Sequence, residues 1–291
     1  VAYYYYAFSG HKWGLDRVKR GVALIKQFQT KGIAMTLLVN DFRAGLAARE
    51  FGVDDATTIE TIMDIDAVAQ RGDTVFIDSP ESEWDSRAEQ YSDLFKSLFY
   101  VTDDCEAKSM SREILLKPIC NDGEDCIVSW IIDPDCFEIL PKSDRVFFFF
   151  GDADYDKELL NHLDFFGSMK MEMVSGHYFF VGYEEKLQPY FDTMHEAQEY
   201  RNLICTGKLI VCASLQCALE ARAAQADVIY IQKEQDLPCL IHRLEAFGIK
   251  VINGFDKKAL MDTINNQVNS TENLLECNQL TISKIFDKLN L

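Results

Sequence analysis

The sequence predicts an α/β protein made of two Rossmann-like halves, each a parallel sheet flanked by helices. Three observations predict it. Apolar runs of strand length alternate with helical periodicity from end to end, the order that a parallel sheet covered on both faces requires. Glycines such as Gly32 and Gly72 stand where a helix should stop and the chain turn into the next strand. The pattern then restarts at Asp144-Arg145, after a less regular acidic stretch. The expected domains are therefore residues 1–143, residues 144–268, and a carboxyl-terminal helix in 269–291 that packs back on the first domain.

The elements justify this in order. Strands are expected over 1–8, 33–39, 74–77 and 98–102, with a short one over 54–58. Helices fall between them over 15–30, 44–51, 59–70 and 82–96. Residues 103–144 hold three of the six prolines and the turn signal Asn121-Asp122-Gly123, and read as the crossing between domains. In the second half, strands are expected over 146–150, 170–174, 178–181, 209–212, 228–231 and 250–252. Helices are expected over 156–166, near 194–200, and over 215–225, 238–247 and 257–266. Beyond Ser270, the residues Leu274, Leu275, Leu280, Ile282, Ile285, Phe286 and Leu289 suggest a final helix with an apolar face. Ligands of such sheets bind at the carboxyl ends of the strands. The two sheets are expected to face each other across a cleft, with the ligand between them.

Composition narrows the function. At 291 residues the chain can bury about 75% of its unfolded surface without staples. A net charge of −18 argues against a nucleic-acid partner, because a phosphate backbone would be repelled. No apolar run reaches the about 20 residues that span a bilayer, and the first residues lack a secretory signal. The nine cysteines are odd in number and contain no C-x-x-C. Cys205, Cys212 and Cys217 sit in apolar runs, so free buried thiols in a reducing, cytoplasmic setting are expected. Zinc is not expected, since no cysteine or histidine pair has finger spacing. The chain opens on Val1 without an initiator methionine, which admits a fragment of a longer protein.

The first turn and helix carry the chemistry-bearing residues. They read Gly14-Leu15-Asp16-Arg17-Val18-Lys19-Arg20-Gly21-Val22-Ala23-Leu24. This resembles the G-x-G-H-x-x-R-x-x-x-L opening of the UDP-sugar hydrolases of pseudaminic acid biosynthesis. Those are grouped with the spore-coat polysaccharide glycosyltransferase-like proteins of the GT-B superfamily. Asp73-Thr74-Val75-Phe76-Ile77-Asp78 is similar to the family's D-x-x-x-x-D strand, and Val101-Thr102-Asp103-Asp104 to its I-D-D. Phe149-Phe150-Gly151-Asp152-Ala153-Asp154 stands where the family has F-G-G-S-D. The stretch from Lys208 to Ser214, followed by Leu219-Glu220-Ala221, resembles the one that carries its uridine-ribose glutamate. The resemblance runs in order from Gly14 to about Gln235. It implies a GT-B fold, a nucleotide sugar (UDP- or CMP-linked) as substrate or ligand, and no metal or other cofactor.

The departures bear on the reaction. The family histidine is Arg17 here and the glycine before it is Asp16. Arginine stays protonated and cannot act as a general base near neutral pH. The second glycine of G-G-S-D is Asp152, which adds bulk and negative charge where backbone N–H groups would approach a diphosphate.

Each candidate has a plain alternative. His11 could serve as base, oriented by a carboxylate such as Asp103 or Asp78, or could be a polar loop histidine. Arg17 and Arg20 could pair with phosphate at a helix start, while Arg17 could equally bridge Asp16 or Asp41. Gly14 and Gly151 would let the backbone approach the ligand. Ser214 opens the helix on which Glu220 would accept ribose hydroxyls, and Gln235 could contact sugar or phosphate. Asp152, Asp154 and Asp156 resemble a calcium loop, but Lys157 stands where its glycine belongs and Leu163 where its glutamate belongs. Asp154 and Asp156 read as helix caps. Gly176-His177 reads as a turn with an exposed histidine.

Two functions from different classes follow. The first is a nucleotide-sugar-binding protein of bacterial surface-sugar (nonulosonic or sialic-acid-like) biosynthesis that hydrolyses or transfers the sugar. The second is a catalytically degenerate binding or docking module, fused to or associated with a nonulosonic-acid cytidylyltransferase. A dinucleotide-dependent oxidoreductase is disfavoured because no G-x-G-x-x-G follows the first strand.

Overall fold

The computed structural model describes residues 1–291 apart from 122, 124, 168, 235, 265 and 267. The chain forms two compact units. One comprises residues 1–9, 17–133 and 276–291; the other comprises residues 10–16 and 134–275.

The first unit is built on a seven-stranded sheet, ordered β3-β2-β1-β4-β5-β6-β7. Its strands are β1 (Tyr3–Ala7), β2 (Thr36–Val39), β3 (Ala56–Thr58), β4 (Thr74–Asp78), β5 (Ser97–Val101), β6 (Ile114–Lys117) and β7 (Cys126–Val128). Every pair is parallel. The crossovers run through α1 (Asp16–Thr30), α2 (Phe42–Glu50), α3 (Ile65–Val68) and α4 (Trp84–Leu94). Helix α1 lies close on β1 because Gly21 has no side chain; a Cβ there would stand 2.7 Å from the Tyr5 ring. Tyr6, Ile62, Val75, Ile77, Trp84 and Tyr91 pack into one buried cluster, and Phe76 stacks on Phe99 at 4.4 Å.

Two expectations change here. Residues 103–144 are not only a crossing, since β6 and β7 extend the first sheet. The helix expected over 59–70 is a 3₁₀ turn at Ile62–Asp64 followed by the four-residue α3. A capping box of Thr61 and Asp64 starts that turn, and the apolar residues around it are drawn into the core instead of extending a helix.

The second unit holds a six-stranded parallel sheet, ordered β10-β9-β8-β11-β12-β13. Its strands are β8 (Ser143–Phe149), β9 (Glu172–Val174), β10 (Thr193–His195), β11 (Gly207–Cys212), β12 (Asp227–Gln232) and β13 (Lys250–Asn253). Its helices are α5 (Leu163–Phe166), α6 (Val181–Leu187), α7 (Tyr200–Thr206), α8 (Leu215–Ala223), α9 (Pro238–Ala246) and α10 (Lys257–Ile264). Phe148, Phe165, Phe166, Met173, Val211 and Ile229 form its core. The strand expected over 178–181 is instead a turn leading into α6. The helix expected near 194–200 begins with the edge strand β10. The helix expected over 156–166 is broken, because Lys157 takes a left-handed conformation (φ 56°) before a 3₁₀ turn at Glu158–Asn161.

The last helix, α11 (Leu274–Leu289), belongs to the first unit from Glu276 onward. Thr281 Oγ1 and Asn278 Oδ1 accept from the backbone N–H of Trp130 and Ile132, and Phe286 packs on Phe28. Cys136, Cys205, Cys212 and Cys217 are buried and outside any disulfide. Cys120 and Cys126 are disulfide-bonded with Cα atoms 6.0 Å apart, a bond that the expectation of free thiols did not foresee.

Candidate functional site

Both sheets reverse their strand order once, the first between β1 and β4 and the second between β8 and β11. Loops at such a reversal leave the sheet in opposite directions and open a crevice at the carboxyl ends of the strands. The expected site residues other than Gln235 lie near these two places.

In the first unit the reversal holds a cluster of charges. Asp78 ends β4 and is buried. It accepts from Arg20 Nε at 2.8 Å and from the Tyr5 hydroxyl at 2.8 Å. Arg17 Nε lies 3.5 Å from its other oxygen. Arg20 Nη1 also donates to Asp103, just beyond β5, at 2.7 Å. Burial works against the Arg20 charge, but Asp103 and Asp78 hold its pKa well above the ordinary value. Burial pushes the Asp103 carboxyl up, yet Arg20 outweighs it and holds it below its usual range. Burial, with Asp78 alongside, raises the Tyr5 hydroxyl well above normal and keeps it a donor. The cluster is a two-carboxylate clamp on a buried guanidinium. Arg17 thus has Asp78 as a partner that the sequence did not suggest, while Asp41 caps α2 through Arg43 N.

In the second unit the reversal holds carboxylates bound mainly by neutral donors. Gly10 and Gly14 close a tight turn, with Gly14 N donating to Gly10 O at 2.8 Å and Gly14 at φ 70°. This brings Gly14 against Asp152, so that a Cβ on Gly14 would stand 3.6 Å from the Asp152 Cβ. Gly176 comes closer still: a Cβ there would meet Gly151 O at 2.5 Å, which no side chain tolerates. The 151–153 and 176–178 loops are thereby pressed together, and Tyr178 N donates to Asp152 O at 2.9 Å. Asp152 is buried with His177 Nδ1 at 2.9 Å from its carboxylate. His177 is thus a half-buried partner of Asp152, not an exposed turn residue. His11 is exposed, with its ring 5.0 Å from that of Tyr178.

Helix α8 completes this corner. Ser214 is its N-cap, accepting from Cys217 N at 3.1 Å. The Ser214 hydroxyl lies 2.8 and 2.9 Å from the two carboxylate oxygens of Asp16. Gln216 N donates to Asp16 Oδ2 at 3.4 Å. One turn later Glu220, buried, accepts from the Tyr200 hydroxyl at 2.8 Å and from Gln216 Nε2 at 3.0 Å. Burial, with Cys217 and Glu220 nearby, raises the Tyr200 hydroxyl well above its ordinary value. It therefore remains protonated and donates to Glu220. Asp154 caps the turn that follows β8, accepting from Glu158 N and Leu159 N, and the Tyr183 hydroxyl also donates to it.

The structure thus brings Gly14 to the 151–152 turn and Asp16 to Ser214. It places Arg17, Arg20 and Asp103 in one ion cluster. Gln235 lies outside the described residues. Sequence reasoning missed the roles of Asp16, His177 and Tyr200. Only Asp16 carried a signal, as a charged residue where the resembled family has glycine. Among the described residues, no group of three or more His, Cys, Asp or Glu could hold a metal ion, and no helix is long and apolar enough to cross a membrane.

No family model matches the chain, and no curated protein does. Solved structures do. The UDP-GlcNAc 2-epimerase of Methanocaldococcus jannaschii, determined with UDP-GlcNAc and UDP, aligns over 99% of this chain and 100% of its own, at 9% identity and a TM-score of 0.61. The Neisseria meningitidis UDP-GlcNAc 2-epimerase, bound to UDP-GlcNAc, aligns over 99% and 100% at 10% identity, with a TM-score of 0.56. MurG of Acinetobacter baumannii aligns over 99% of each chain at 12% identity, with a TM-score of 0.53. At these identities the likeness shows the fold alone: two Rossmann-like, parallel-sheet domains of the GT-B type.

Proposed function

We propose that this chain binds a nucleotide sugar, UDP- or CMP-linked, on α8 of the second unit. We further propose that it serves bacterial surface-sugar biosynthesis of the nonulosonic or sialic-acid-like kind, by hydrolysing or transferring the sugar. One observation carries the binding reading: the Ser214-capped start of α8 already holds an anionic group, the Asp16 carboxylate. Helix N-termini bind phosphate through the same N–H groups and dipole. Glu220, one turn along, presents a carboxylate of the kind that accepts ribose hydroxyls. The resemblance at Gly14–Leu24 and around Glu220 supports this reading, as do the UDP-GlcNAc and UDP complexes of the two epimerases with this fold.

In this reading His11 takes the proton of water or of an acceptor hydroxyl as that oxygen bonds the anomeric carbon. The bond from that carbon to phosphate oxygen breaks, and the nucleotide leaves with the electron pair. Thermal shift with UDP, CMP and their sugars tests binding: a rise in Tm with at least one of them is expected, and none with any would reject it. His11→Ala should abolish turnover while leaving that shift in place.

A second reading, a catalytically silent binding module, is favoured by one arrangement. Asp103, the expected orienting carboxylate, has both oxygens on Arg20, and the family histidine position is Arg17. Nucleotide binding with no sugar release in wild type would select this reading.

A further inference from the structure

The segment that opens the second unit runs along α7, and four contacts hold the two together. Asp135 pairs with Arg201. Lys142 Nζ donates to Cys205 O at 2.7 Å, and Ser143 Oγ donates to Thr206 O at 3.2 Å. Those carbonyls stand at the end of α7, where the helix offers them no donor of its own. The fourth contact joins two sulfurs: Cys205 Sγ lies 3.7 Å from Cys136 Sγ. Cys136 is 2% exposed and Cys205 5%. A buried thiol in apolar surroundings is inert, but this pair has a cation beside it. Burial lowers the pKa of Lys142, while Cys205 and Cys136 act in the opposite direction. The ammonium and the two sulfurs therefore interact, and an ammonium stabilises the thiolate, the form that attacks an oxidant.

We propose that Cys136 and Cys205 are a redox-active pair, a modification site that a peroxide converts to a disulfide and a small dithiol restores. Sulfurs in a disulfide stand about 2.0 Å apart, so each must move by less than about 1 Å. The Asp135–Arg201 and Lys142 contacts keep the two segments in register while they do. In the first step one thiolate attacks an oxygen of hydrogen peroxide. The O–O bond breaks, and a sulfenic acid and hydroxide form. In the second step the other sulfur attacks the sulfenic sulfur; the S–S bond forms and the S–O bond breaks, releasing a second hydroxide. The two thiol protons end on the two hydroxides. One peroxide is thus reduced to two waters as two thiols are oxidised to one disulfide. Burial keeps larger reagents away and leaves the neighbouring sulfur as the nearest nucleophile. The bond joins residues 69 positions apart and ties α7 to the start of the unit. That helix also carries Tyr200, the donor to Glu220.

The test treats the folded full chain with hydrogen peroxide, quenches with catalase, and alkylates the remaining thiols after unfolding. Peptides are then mapped by mass spectrometry without reduction. Wild type is expected to yield a peptide pair joined through Cys136 and Cys205, two hydrogens lighter than its parts. Dithiothreitol added before alkylation should undo the bond, and protein kept under dithiothreitol throughout should give at least tenfold less of the pair. In Cys136→Ala and Cys205→Ala the remaining sulfur lacks its partner, so at least one of them should yield a dimedone adduct of its sulfenic acid. Circular dichroism establishes that each variant is folded, and the serine variants serve if the alanine ones are not. Recovery of both sulfurs as thiols in peroxide-treated wild type overturns the inference. So does a bond from either to Cys212, Cys217 or Cys277, sulfinic acid at either without the disulfide, or a dimedone adduct in neither variant. None of these outcomes depends on nucleotide binding.

Discussion

The two sheets reverse strand order at equivalent places, and the two corners are finished in opposite ways. In the first unit the charges cancel internally: Arg17 and Arg20 meet Asp78 and Asp103. Every strong group there has an opposite charge from the same unit, which gives a rigid and self-contained corner. In the second unit Asp16 and Glu220 accept from neutral donors: a serine hydroxyl, a tyrosine hydroxyl, a side-chain amide and a backbone amide. A ligand's phosphate or hydroxyls can exchange with contacts of that kind at small net cost, because one hydrogen bond replaces another. The difference teaches that a crevice at a reversal point is not by itself a site. What matters is whether its polar groups are held by partners that a ligand can replace.

The largest effect that would break this contrast is expected from Arg20→Ala. It leaves Asp78, buried at the end of β4, with a diminished set of partners. Removing one member of a buried ion pair costs about 3–5 kcal/mol. Urea unfolding should show a loss of that order, whereas a loss below about 1 kcal/mol, the range of exposed pairs, would mean that the first corner is not a clamp. Next comes Tyr200→Phe in the second unit. It removes a donor from a buried carboxylate, at about 1.5–3 kcal/mol for a bond to a charged group. If Glu220 is the ribose acceptor, UDP binding by this variant should survive, because the carboxylate remains. Ser214→Ala should cost about 1 kcal/mol through loss of the α8 cap, again read by urea unfolding.

The smallest effect concerns pH. Arg20 holds the folded Asp103 carboxyl below its unfolded value. Its contribution is therefore fully present above that unfolded value, about 3.9, and is lost as pH falls through the lower folded one. Asp103→Asn should flatten the acid side of the stability profile below about pH 4 and leave the neutral region little changed in slope. An unaltered acid limb would show that Arg20 and Asp103 are not coupled.

The fold was largely legible, because strands such as β1, β4, β8 and β11 each carry an apolar run, as buried parallel strands do. Two regions were not. Strands β7 and β10 have three residues each, too few for periodicity to register, and β6 sits in an acidic, proline-bearing stretch. Strand β10 carries Met194 and His195, which read equally well as the start of a helix. The site was legible where one helix carries it: Ser214 and Glu220 both lie on α8 and its cap. It was illegible where distant segments meet. The Asp16–Ser214 contact spans 198 positions, the Asp152–His177 contact 25 and the Tyr200–Glu220 contact 20. No local pattern encodes such meetings. The Arg17–Asp78 pairing was missed for the same reason.

The central claim is that α8 of the second unit is the nucleotide position. The most direct measurement is calorimetric titration of UDP into wild type and Glu220→Gln, a near-isosteric change that weakens the acceptor for ribose hydroxyls. The account predicts a saturable heat in wild type and at least tenfold weaker binding in the variant, with both proteins folded. No heat in wild type, or equal affinity in the two proteins, would contradict it.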